Sequence, residues 1–184
     1  MKKYILVATL LFSVPSFASL LLEPYVGYGF ATLDSSSGTT YNGKIKPATY
    51  VGGRIGFSLP LVFFALDISG GSPKIKFDSG TTEYSGKRSM VGADLGIHTP
   101  LIGLRAWAGY IFRDRLTQNL TSGGDHKFVG KGYKLGLGYQ FPILPLAING
   151  EYIVSQYDKR DDVDLSNKVD NQGFLISVSF PFEL

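Results

Sequence analysis

The sequence predicts an all-β chain in which eight antiparallel strands, in up-and-down order, close into a barrel with its greasy face outward. Three observations carry this. Segments of about ten residues alternate bulky apolar residues with glycine, serine or a charge, the period of two that belongs to strands. The links between segments alternate between short and long. The two faces also differ in volume, with Phe, Tyr and Leu on one and mostly Gly, Ser and Ala, with a few charges, on the other.

The segments follow in order. Leu22, Pro24, Val26, Tyr28 and Phe30 share the first outward face. Val51, Gly53, Ile55, Phe57 and Leu59 share the second, with Arg54 behind, and Phe64, Leu66 and Ile68 the third, opposite Ala65, Asp67 and Ser69. Val91, Ala93, Leu95 and Ile97 stand against Gly92, Asp94, Gly96 and His98. The fifth segment sets Leu104, Ala106, Ala108, Tyr110 and Phe112 against Arg105, Trp107, Gly109, Ile111 and Arg113, and is least clean because Trp107 and Ile111 fall on the polar side. Tyr133, Leu135, Leu137, Tyr139 and Phe141 oppose Gly132, Lys134, Gly136, Gly138 and Gln140. Leu146, Ile148, Tyr152 and Val154 oppose Ala147, Asn149, Glu151 and Ser155. The last segment puts Phe174, Ile176, Val178, Phe180 and Phe182 on one face. No segment has the 3.6-residue period of an amphipathic helix.

Short links fall at Pro60, Pro100 and Pro142–Pro145, where proline pre-sets a turn and removes a strand donor. Long polar links are expected over residues 31–49, 70–87, 114–130 and 156–171, with the second rising as strands through Lys74-Ile75-Lys76-Phe77 to a turn near Asp78-Ser79-Gly80. Both chain ends then lie on the short-turn side.

Residues 1–18 read as a secretory signal: Lys2 and Lys3, a short apolar run, then Ser16-Phe17-Ala18 as a small-x-small cleavage site, leaving residues 19–184 as the barrel. Removing Lys2 and Lys3 leaves 16 basic against 15 acidic side chains, a net charge of +1 in place of +3. That balance gives no reason to expect a nucleic-acid partner. The chain has no cysteine and needs no disulfide framework. No apolar stretch is long enough for a membrane helix.

A soluble barrel of the lipocalin kind would turn the greasy faces inward. Eight strands enclose a lumen just filled by side chains, so small residues suit the inside and bulky ones suit lipid. The pattern therefore favours a transmembrane barrel with aromatic girdles: Phe57, Phe63, Phe141, Phe180 and Phe182 at one level, Phe30, Tyr110, Phe112, Tyr133 and Tyr152 at the other. By its alternation, loop rhythm and closing strand, the chain resembles the small eight-stranded outer-membrane barrels: the OmpA membrane domain, the OmpX/Ail adhesins and the opacity proteins. The resemblance spans residues 19–184. It implies a Gram-negative outer membrane, periplasmic termini, contact with lipid and lipopolysaccharide, and a closing strand read by the barrel-assembly machinery. Those relatives usually end on an aromatic, whereas here Glu183 and Leu184 follow Phe182.

Glu23, Arg54, Asp67, Asp94, Arg105, Lys134 and Glu151 fall on the inner face at membrane level, with Arg88 and Arg113 nearer the outer rim. Buried charges survive only when paired, so a packed lumen network is expected, and an ion path is the alternative. Lys74, Lys76, Lys87 and Arg88 form a basic surface that could meet lipopolysaccharide phosphates or a host surface. Asp158, Asp161, Asp162, Asp164 and Asp170 make an acidic fourth loop without the glycine and closing glutamate of an EF-hand. His126, with Asp125 and Ser122, is a conceivable nucleophilic set, but Phe128 stands where the His-x-Ser spacing of outer-membrane lipid-A deacylases would need serine. No catalytic, cofactor or metal motif is expected. The role is envelope integrity or surface interaction through the four outer links; a narrow channel is the alternative, followed by a lipid-modifying enzyme.

Overall fold

The computed structural model describes residues 18–35, 42–78, 82–99, 101–119 and 124–184. The expected signal segment up to residue 17, the expected turn at Ser79-Gly80, Pro100 and Ser122 lie outside the described residues. The strands are β1 (Ser19–Ser35), β2 (Gly43–Ser58), β3 (Val62–Gly71), β4 (Lys74–Phe77), β5 (Glu83–His98), β6 (Leu104–Gln118), β7 (His126–Gln140), β8 (Ala147–Arg160), β9 (Val163–Ser179) and β10 (Phe182–Glu183). β3 and β4 lie in succession between β2 and β5, interrupted at Pro73, and β9 and β10 lie in succession along β1, interrupted at Pro181. Proline supplies no ladder donor, which accounts for both breaks. The ring therefore has eight antiparallel barrel strands in up-and-down order.

Closure is made by β1 and β9, from Tyr25 opposite Ser179 to Ser35 opposite Val169. β10 extends the seam, with Leu20 and Leu184 exchanging backbone bonds of 2.8 and 3.0 Å. Along the closing strand, Phe174, Ile176, Val178, Phe180 and Phe182 all point out, while Leu175, Ser177 and Ser179 are buried.

The barrel is inverted relative to a water-soluble one. Tyr133, Leu137 and Ile176 are 68%, 71% and 62% exposed on the outer wall, while Glu23, Arg54 and Asp94 are at most 2% exposed inside. Each large apolar side chain left in water forgoes about 1.5–3 kcal/mol of burial, so a band of this size requires an apolar solvent.

The structure departs from expectation in three places. First, strand is not confined to the second long link, where β4 holds the expected Lys74–Phe77: β1 runs to Ser35, β2 starts at Gly43, β6 ends at Gln118 and β8 and β9 meet at a two-residue turn. That turn is Asp161-Asp162, both left-handed at φ 53° and 66°, the geometry of a type I′ hairpin. These stretches are polar outside, but inside they keep the alternation. Leu33, Ile45, Ile75, Leu116, Phe128, Tyr157 and Val169 form a core of their own above the apolar band. Second, β6 carries a bulge between Ile111 and Asp114. Phe112 and Arg113 both face out, and Asp114 takes the inward place expected for Arg113. Third, Phe63, expected in a girdle, is 2% exposed inside the lumen, while its neighbour Phe64 faces out with Leu66 and Ile68 as expected.

Inner glycines make room for large inner side chains. A Cβ on Gly136 would sit 2.0 Å from Cε2 of Trp107, whereas one on outward Gly150 would meet nothing within 4 Å. Gly136→Val should therefore block seating of Trp107 and cost about 1–3 kcal/mol or more, seen as loss of the heat-dependent gel shift of a folded barrel. Gly150→Ala should assemble as the wild type does.

Candidate functional site

Parity along each strand brings the seven expected lumen charges to one level. Glu23 on β1 lies opposite Arg54 on β2, which lies opposite Asp67 on β3. Asp94 on β5 faces Gly109 on β6, which in turn faces Lys134 on β7. Gly136, one inward step below Lys134, faces Glu151 on β8. Arg54 is the hub. Its Nε donates to Asp94 Oδ2 at 3.0 Å, one terminal nitrogen donates to Glu23 Oε1 at 3.1 Å, and the other donates to Glu151. Asp67 Oδ2 is 3.5 Å from the same Nε. Arg105 grips Glu23 with two bonds of 2.8 and 2.7 Å. Lys134 pairs with Asp67 and reaches Asp94 Oδ2 at 3.0 Å.

Neutral groups complete the layer. Tyr25 donates to Asp67 at 2.8 Å, Trp107 Nε1 to Glu151 at 3.0 Å and Ser179 to Glu23 at 2.7 Å. The Arg54 guanidinium lies 4.7 Å from the Trp107 ring and 5.2 Å from that of Tyr25, which adds cation–π attraction in a desolvated place. These partners were not read as site residues from the sequence. Trp107 left the clearest trace, an aromatic on the polar side of its strand.

Asp67, Asp94 and Glu151 bring carboxylate oxygens within 4.8 Å of one another, the arrangement a divalent cation could use. Lys134 and Arg54 already stand among them, so protein cations neutralise the group. Arg88 departs from the expected basic surface. It is 5% exposed inside the barrel and grips Asp114 with bonds of 3.0 and 2.5 Å. The bulge in β6 is what turns Asp114 to meet it. Lys74, Lys76 and Lys87 do face outward and are exposed.

Among the described residues, neither histidine is joined to both a nucleophile and an orienting carboxylate. His126 meets Asp161, not Asp125, through Nδ1 at 2.8 Å, while Nε2 accepts from Arg160 at 2.6 Å. At the opposite end Ser58, His98 and Glu183 converge, but Glu183 accepts from Ser58 and not from the histidine. His98 Nε2 lies 2.6 Å from the Leu59 carbonyl, so it carries its hydrogen there and offers Ser58 no lone pair. The acidic fourth link does not gather into a group. Asp161 caps the β7–β8 end, Asp164 lies 3.6 Å from Lys159, and Asp170 accepts from Gln156 at 2.8 Å.

Asp161 is held below the ordinary carboxylate range, first by the Lys127 amide, against slight burial, and then by His126 and Arg160. A depressed value means the cap is present above the unfolded value and is lost as pH falls through the folded one. Limited proteolysis should therefore cut the β8–β9 hairpin faster in acid, and Asp161→Asn should be cut at a rate that no longer depends on this carboxyl. Removing Arg54 should be far more costly: Arg54→Met leaves four buried carboxylates with only Arg105 and Lys134 to balance them and should lose about 3–5 kcal/mol in urea unfolding from lipid.

Residues 4–182 match the family described as Outer membrane protein beta-barrel domain. Among solved structures, Neisserial surface protein A is similar at 15% identity and TM-score 0.58, covering 90% of this chain and 99% of its own. Ail, the attachment invasion locus protein of Yersinia pestis, is similar at 13% identity and TM-score 0.57, covering 89% and 99%. At these identities the likeness is one of fold. A sequence comparison with curated proteins finds no match.

Proposed function

We propose, from the premise that the chain belongs to the outer membrane protein β-barrel family, that it is a closed, non-enzymatic barrel acting on the outer surface of a bacterium. In this reading residues 1–18 export the chain, both termini are periplasmic, and the outward strand extensions meet a polyanionic partner: lipopolysaccharide or a host surface. Phe174, Ile176, Val178, Phe180 and Phe182 on the closing strand present the assembly signal to the barrel-assembly machinery. No cofactor takes part.

The observation that carries the reading is the filled lumen. The Arg54 layer spans the bore with charges, Tyr25 and Trp107, and the Arg88–Asp114 pair and an apolar core lie above it. A narrow channel would need a wetted path, and every one of the seven charges in the lower layer is at most 5% exposed. The extensions support a surface role over a purely structural one. Strands that continue past the lipid band with their own core are more than is needed to span a membrane.

Two measurements test this. The reconstituted protein should give no conductance steps in planar bilayers; steps that shift on altering Arg54 or Glu151 would restore the channel reading. Replacing residues 72–86 by a short turn should leave the heat-dependent gel shift intact and abolish binding to anionic cell surfaces. Unchanged binding would leave only the structural role.

A further inference from the structure

The outer wall carries a hollow of about 1080 Å³ across β2, β3, β4, β5 and β6, just above the apolar band. Register explains it. Val51, Gly70, Ser89 and Arg115 form one outward row over four neighbouring strands, and the floor is low because Gly70, Ser89, Ser72 and Thr49 are small. Lys74, Lys87 and Arg115 stand around it, with Thr117 beside Lys87. The carboxylate in the lining, Glu83, is taken by Lys46. Among the described residues no ion pair within 4 Å engages Lys74, Lys87 or Arg115, and Arg115 Nε is shielded from water with no hydrogen-bond partner.

One step down, the outward row is Gly53, Ile68 and Val91, continued on β6 by Arg113, and Tyr28 and Val51 form the lower lip. On β3 and β5, two residues of strand, about 7 Å, thus separate the apolar Ile68 and Val91 from the small floor of Gly70 and Ser89. Beyond it, β1 and β9 offer Thr32 beside Gln172 and Asp34 beside Asp170, while the outward cations on β7 and β8 are Lys131, beside Gln156, and Lys159, 3.6 Å from Asp164. The hollow differs in setting around one low floor three cations without an ion pair among the described residues, which a general attraction to a charged membrane would not require. Unpaired ammonium and guanidinium groups recognise phosphate, hydroxyls recognise a sugar, and an apolar lip admits acyl chains.

We propose that this hollow binds the phosphorylated sugar headgroup of an outer-leaflet glycolipid, its phosphates on Lys74, Lys87 and Arg115 and its acyl chains running down past Val51 and Ile68. The site rests on the reading above that this end of the barrel faces outward.

Gly70 provides a clean test. A Cβ there meets only the Arg88 carbonyl at 3.5 Å, an ordinary contact, so Gly70→Trp fills the hollow and leaves the barrel wall in place. The wild type, Gly70→Trp and Lys87→Gln/Arg115→Gln would each be reconstituted in nanodiscs holding either bisphosphorylated lipid A or phosphatidylglycerol, and bound lipid counted by native mass spectrometry. Retention of lipid A by the wild type should exceed that of phosphatidylglycerol and fall about tenfold or more in both variants, the loss expected for charge-assisted bonds. Equal retention of the two lipids, or undiminished retention by Gly70→Trp, would overturn the site, as would capture of a soluble sulfated sugar in place of lipid A. Surface labelling of Lys76 on intact cells separates the two readings. An unlabelled Lys76 sinks the orientation, while a labelled Lys76 with unchanged retention sinks the hollow alone.

Discussion

The structure depends on one buried cation. Arg54 sits among Glu23, Asp67, Asp94 and Glu151, each drawn from a different strand of the ring, so its bonds tie β1, β3, β5 and β8 to β2 across the bore. Taking these charges out of water costs several kcal/mol per ion, and only near-complete pairing offsets it. Such pairing exists only when the ring is closed, because the partners are remote in sequence: Arg54 and Glu151 are separated by 97 positions. The network therefore favours one register of closure over others, since a slip of one residue would carry these groups to the lipid face.

Two solvents shape the rest. The outer wall meets hydrocarbon and carries its large apolar side chains there. The inner wall is filled by charges, aromatics and the glycines opposite them. Above the band the outer wall turns polar while the inner wall turns apolar, so the same sheet becomes an ordinary water-facing barrel with its own core. Chemistry offered to a partner is then on the outside of this upper part, where Lys74, Lys76, Lys87, Arg113, Arg115 and Lys131 point away from the lumen.

Much of this was legible in the chain. Period-two parity alone put Glu23, Arg54, Asp67, Asp94, Arg105, Lys134 and Glu151 on one face, because strand geometry leaves a side chain only two directions. What parity could not show is where it breaks. The bulge in β6 shifts the register after Ile111, which moved Arg113 outward and brought Asp114 and Arg88 together; a charged Arg-Asp-Arg run gives no local sign of which member turns in. Phe63 was a different case: period two already gave the outward place to Phe64 with Leu66 and Ile68, so the aromatic next to it turns into the lumen and not into a girdle. The strand extensions of the first, third and fourth long links did not stand out because polar outward residues made them resemble loops, although Leu33, Ile45 and Leu116 kept the inward alternation, as Ile75 did in the second, where strands were expected.

The linear order of residues decided the strands, their faces and the sense of the barrel, because these follow from local geometry and from the volume difference between the two faces. Only the closed ring decided that Arg54 is the hub, that Arg88 belongs to Asp114, and that Gly70, Ser89 and Arg115 share a row. Those depend on the offset between neighbouring strands, which hydrogen bonding across the whole sheet sets and no single segment encodes.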